Sequence, residues 1–194
     1  MAREEQVAPR SLPLATLAIG LVAGLAYCWS ATTGPLIYQR SVLLHGEVWR
    51  AWTGHLVHFG PSHLLWDLVV FLAAGCWLER IRPGAARWFY VLCPPVIAAV
   101  LLVFDPTLER YAGLSGVATG VLVFLGGYQL RHSRTEPKWF WIAVLVLVAL
   151  KIALEAVTRT PLMVQGFVGI RVVPLAHLSG AACGVVAWAL TRRE

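Results

Sequence analysis

Six apolar runs, each close to the length that crosses a bilayer as a helix, limit what this chain can become. A spanning helix needs about 20 mostly apolar residues. The runs fall at roughly 11–31, 62–77, 88–104, 112–130, 139–157 and 174–190. The second is short and carries Asp67, and the sixth carries His177 and several glycines. What lies between them leaves no room for a soluble domain. The expected fold class is an all-α integral membrane protein with six transmembrane helices. It would have a cytoplasmic amino-terminal tail over 1–10, one membrane domain over 11–191 and a cytoplasmic end over 192–194.

The composition agrees. The chain is 58% hydrophobic and 13% charged, with a mean hydropathy of +0.69. Soluble domains are roughly 45–50% apolar and about 25% charged. Disorder, collagen-like repeats and a soluble nucleic-acid binder are excluded. The net charge of +6 does not restore a nucleic-acid partner, because the charges sit in short clusters between apolar runs, as membrane-protein loop charges do. Cys28, Cys76, Cys93 and Cys183 all lie inside apolar runs and read as packing residues, so no disulfide framework is expected. The first run lacks a small-residue cleavage site and reads as a retained helix.

Lys and Arg orient the bundle. Arg3, Arg10, Arg80, Arg82, Arg87, Arg131, Arg134, Lys138, Arg192 and Arg193 fall on one side, against Arg40, Arg50, Arg110, Arg159 and Arg171 on the other. Both termini are therefore expected in the cytoplasm. The second, fourth and sixth helices then start at the outer face, and their polar residues lie at those starts: His63 and Asp67, Ser115, and His177. Three polar sites in one layer suggest one site.

A serine in a membrane helix commonly serves packing. A histidine there faces the bundle interior or a water-filled cavity, and suggests a base, a proton relay or a metal ligand. Gly116 and Gly120 follow Ser115, and Gly180 and Gly184 follow His177. Small residues four apart let helices approach closely in lipid, which makes a Ser115–His177 hydrogen bond feasible. That pair is the minimum for an activated hydroxyl nucleophile. Acyl transfer also needs oxyanion donors. His63 and Asp67 share a helix face; Asp67 could donate if protonated, orient an imidazole as a third member, or only bond a neighbouring helix. His55, His58, His63 and Asp67 are close in sequence and raise zinc as an alternative. No HExxH or cysteine pair accompanies them, so no metal or cofactor is expected. Lys151 and Glu155, four apart, suit an internal ion pair, either mutually neutralising or facing the cavity.

Together these residues resemble the rhomboid family of intramembrane serine proteases. Gly46-Glu47-Val48-Trp49-Arg50 is similar to the family's Trp-Arg motif, and His63 to Asp67 to its HxxxN stretch. Gly113-Leu114-Ser115-Gly116 is similar to its GxSG, and Ala176-His177-x-x-Gly180-x-x-x-Gly184 to its AHxxGxxxG. The resemblance implies a six-helix rhomboid-like bundle with Ser115 as nucleophile and His177 as base. It implies that His63, the Ser115 backbone N–H and position 67 line the oxyanion hole, with Gly113 beside them. Two positions depart: Asp67 stands where the family usually has Asn, and Thr119 where many members stack an aromatic on the imidazole. The base is then expected to be held differently. Within the family the chain looks most like the bacterial rhombosortases, partly through Lys151-x-x-x-Glu155. That implies the bacterial inner membrane and membrane-anchored substrates with Gly-rich carboxyl-terminal sorting tails. Two other functions stay open, a non-catalytic binder of transmembrane helices and a proton-coupled transporter; for the latter no inverted repeat is evident.

Overall fold

A computed structural model describes residues 12–29, 33–158 and 172–191. The charges at Arg3, Arg10, Arg159, Arg171, Arg192 and Arg193, and the two terminal tails, lie outside the described residues. In chain order the elements are α1 (Leu14–Cys28), α2 (Thr33–Leu36), β1 (Tyr38–Gln39), α3 (Arg40–Leu44), α4 (Arg50–Thr53), α5 (Pro61–Ile81), α6 (Pro83–Phe104), β2 (Arg110–Tyr111), α7 (Ser115–His132), α8 (Lys138–Thr158) and α9 (Pro174–Leu190).

The long helices follow the apolar runs, with instructive differences at their ends. Proline occupies the first turn of α5, α6 and α9, where its missing N–H costs no hydrogen bond. The second helix runs four residues past its expected end, through Glu79 and Arg80. The reason is a partner distant in sequence. Glu79 is fully buried and accepts the Ala15 and Thr16 backbone N–H groups at 3.2 and 2.8 Å, with the Thr16 hydroxyl at 2.8 Å. These N–H groups belong to the first turn of α1 and have no acceptor within their own helix. Arg87 completes the cluster at 3.1 Å. Asp67, Phe71, Ala74, Gly75, Leu78 and Glu79 form the buried stripe of α5, with the spacing of one helix face.

α6 contains Pro94 and Pro95. Pro95 has no N–H to give the carbonyl four residues back, that of Val91. The Trp52 indole N–H takes that carbonyl at 2.9 Å, and His55 Nε2 lies 3.1 Å from the Pro94 carbonyl. The proline pair thus docks the segment between α1 and α5 onto α6. The same segment is tied to the start of α7 by β1 and β2, which pair antiparallel with Tyr38 opposite Tyr111. Arg50 is buried there; it donates to the Ile37 carbonyl at 2.8 Å, to that of Gly34, and to Glu47 at 2.7 Å.

α7 packs against α5, α6, α8 and α9 and is buried along most of its length. α8 is little buried: of its residues only Trp141 and Glu155 are buried. α6 and α8 are long and apolar enough to cross a membrane. Only 11% of the apolar window of α8 is buried within the protein, so it is not the core helix of a soluble fold. α1 and α9 are apolar but shorter.

The tightest packing joins α7 to α9. A Cβ added to Gly180 would fall on the Gly116 carbonyl, and one on Gly184 on the Gly120 carbonyl. A Cβ on Gly120 would come within 2.5 Å of the Gly180 carbonyl oxygen. Gly180→Ala should therefore cost about 1–3 kcal/mol or more, as overpacking a rigid contact does. Gly24→Ala meets open space and should leave thermal unfolding in detergent unchanged; equal melting of the two variants would contradict the packing.

Candidate active site

Ser115 is the first residue of α7. The three residues before it, which the apolar run had included in the helix, form a turn. Gly113 has φ +127°, a conformation that suits glycine, and its missing Cβ leaves room for the His63 ring, whose Nε2 would lie 2.6 Å from a Cβ there. The Tyr111 hydroxyl donates to the Gly113 carbonyl at 3.1 Å. At the start of a helix the first backbone N–H groups, that of Ser115 included, have no intrahelical partner.

The glycine contact brings the start of α9 against the start of α7. His177 Nε2 lies 2.9 Å from Ser115 Oγ. On the other side of the ring, His177 Nδ1 lies 2.9 Å from Glu155 Oε2. Lys151 donates to that same oxygen at 2.8 Å, and its Nζ stands 3.4 Å from Nδ1. His177 and Glu155 are buried, while the Lys151 side chain is partly open. Thr119 bonds the Ser115 carbonyl at 2.8 Å; no aromatic occupies that position.

His63 and Asp67 form a second group. Asp67 Oδ2 lies 3.3 Å from His63 Nε2 and 3.0 Å from His58 Nε2. The two imidazoles meet edge to face with centroids 5.0 Å apart. Of the roles open to Asp67, the structure puts it with His58 and His63, and the carboxylate facing His177 is Glu155. His58 had drawn notice only as a zinc candidate; its closeness in sequence to Asp67 was the signal, but a loop lies between them. His55 stands apart, against Pro94 and the Tyr111 ring. Trp49 is half exposed, and Arg50 is structural.

Ser115, His177, Glu155, Lys151, His63 and Asp67 all line one cavity of about 450 Å³. Its remaining wall is largely apolar, with Trp66 and Val70 from α5 facing Val144 and Leu147 from α8. A hydroxyl bonded to a buried imidazole, an open helix N-terminus and an apolar chamber together suit acyl transfer on an apolar chain.

His55 ties this site to pH. Burial pushes its imidazole down to about 4, while the bond to the Pro94 carbonyl acts in the opposite direction. The folded state holds the ring neutral, so its contribution is complete above pH about 6.5 and lost as pH falls towards 4; at most it amounts to about 3 kcal/mol. Thermal unfolding between pH 7 and 4 should show a shallower acid loss for His55→Gln than for the parent. Parallel curves would remove His55 as the cause.

The family model described as Rhomboid domain matches residues 45–194, from the segment before Trp49 through α9.

Proposed function

The chain belongs to the rhomboid family, and from that premise we propose that it is an intramembrane serine endopeptidase in which Ser115 and His177 do the chemistry. Rhomboids are integral membrane proteins, generally serine proteases that act on membrane-protein substrates within the bilayer, although the family includes non-catalytic members. The observation that carries the reading is the 2.9 Å approach of His177 Nε2 to Ser115 Oγ at the wall of the cavity.

In this reading α1, α5, α6, α7, α8 and α9 all span the membrane, both termini are cytoplasmic, and the membrane is the bacterial inner membrane. A substrate segment unwinds near the outer face and enters the cavity. Ser115 Oγ attacks its carbonyl carbon as His177 Nε2 takes the hydroxyl proton. The tetrahedral oxyanion is met by the Ser115 backbone N–H and by His63, with Gly113 leaving the space His63 needs. His177 returns its proton to the leaving amine, and water hydrolyses the acyl-enzyme by the same steps in reverse. Glycine near the cleaved bond favours such substrates because it holds helix poorly. Gly-rich carboxyl-terminal sorting tails, as in rhombosortase substrates, are the class we propose. Asp67 in place of the family's usual Asn favours a second reading, a non-catalytic holder of transmembrane helices.

A fluorescent fluorophosphonate separates the two. The parent protein in detergent should label, Ser115→Ala should not label at all, and His177→Ala should lose at least about 10³-fold in labelling rate. A folded parent that fails to label would favour the holder.

A further inference from the structure

The catalytic reading uses one side of the His177 ring, and the other side carries a further assignment. We propose that Glu155 is a positioning residue that completes a Ser115–His177–Glu155 triad, with Lys151 holding its carboxylate in place; this rests on the catalytic reading above.

Three observations meet here. Glu155 Oε2 lies 2.9 Å from His177 Nδ1, on the far side of the imidazole from Ser115. Glu155 is one of two buried residues on a helix whose other residues are exposed or half-buried. The Lys151 ammonium bonds the same carboxylate oxygen at 2.8 Å. A neutral imidazole carries one N–H. If that hydrogen sits on Nε2, the Nδ1 lone pair faces a carboxylate oxygen at bonding distance, which is repulsive. With the hydrogen on Nδ1, it donates to Glu155 and leaves the Nε2 lone pair aimed at Ser115. The Lys151 ammonium stands farther off, 3.4 Å from Nδ1 against 2.9 Å for the carboxylate oxygen, so Glu155 sets the tautomer, and it is the one a general base requires. When Nε2 takes the Ser115 proton, both ring nitrogens carry hydrogen and the carboxylate faces the new positive charge. The proton later leaves from Nε2, so Glu155 stays ionised throughout.

An ion pair that merely neutralises two charges in lipid needs Lys151 and Glu155 alone. It does not need the shared oxygen to lie against Nδ1. Nor does Asp67 compete for the role, because its carboxylate is taken up by His58 and His63.

The test measures the rate constant of fluorophosphonate labelling of the full chain in detergent. Ser115 Oγ bonds to phosphorus, fluoride leaves and the proton passes to His177. Misfolding lowers the amplitude of labelling, whereas loss of base positioning lowers the rate constant of the molecules that label. Glu155→Gln should slow labelling by about 10²–10⁴-fold, the upper end being the loss of about 10⁴ that a triad carboxylate-to-amide change brings. Its carboxamide can donate to Nδ1 and so select the wrong tautomer. Lys151→Met with Glu155→Gln, which removes both charges, should stay as slow as Glu155→Gln alone. Labelling of Glu155→Gln at the parent rate, or return of the double variant to that rate, would leave Glu155 as a counter-ion of Lys151 and overturn the triad. A folded parent that does not label at all overturns the catalytic reading, and the triad falls with it.

Discussion

The close approach of α7 and α9 through facing glycines is the contact on which the site depends. In lipid, helices gain little from burying apolar side chains, since the acyl chains are equally apolar; small residues that let backbones touch provide the packing instead. Gly116 and Gly120 lie against Gly180 and Gly184 so closely that a Cβ on Gly120, Gly180 or Gly184 would strike a carbonyl oxygen. The spacing of the helices is thus set by backbone against backbone. Ser115 precedes the first glycine of one pair and His177 lies three residues before the first of the other. A rigid contact one turn away therefore fixes the 2.9 Å between Nε2 and Oγ.

The start of α7 needs a second support, because a turn ahead of a helix has no ladder of its own. It comes from the segment before α5. β1 pairs with β2, Tyr111 bonds the Gly113 carbonyl, and His55 packs on the Tyr111 ring. That segment is itself held by the Val91 carbonyl, which Pro95 leaves free, and by the buried Arg50. Apart from the ring contact, each tie pairs backbone groups in an apolar setting, where unpaired ones cost several kcal/mol by order of magnitude.

How much of this could be read from the chain follows from the range of each interaction. Apolar runs are local, so the helices emerge close to where the runs lie. The end of α5 does not, because Glu79 and Arg80 read as loop charges until Thr16 and Arg87 are seen beside Glu79. Ser115 and His177 were legible because glycine pairs follow both at helical spacing. Lys151 and Glu155 were legible as a pair for the same reason, four residues apart on one helix. The approach of Glu155 to His177 was not, because it depends on how α8 crosses α9. Asp67 was ambiguous: sequence shows its neighbour His63, one turn away, but not that the loop returns His58 to the same oxygen.

The two carboxylates at the cavity illustrate how a membrane site carries charge. Asp67 and Glu155 line the same chamber, and either one unpaired would be costly beside an apolar substrate. Each is held by its own set of cationic or imidazole partners: Asp67 by His58 and His63 from the α5 side, and Glu155 by Lys151 and His177 from the α8 and α9 side. Separate pairing keeps Asp67 away from His177 and leaves Glu155 to face it. Val70, Val144 and Leu147, which line the same cavity, are apolar. In the proposed reading, a helix arriving from lipid would meet hydrocarbon along most of its length and polarity only where its backbone has to open, beside Ser115.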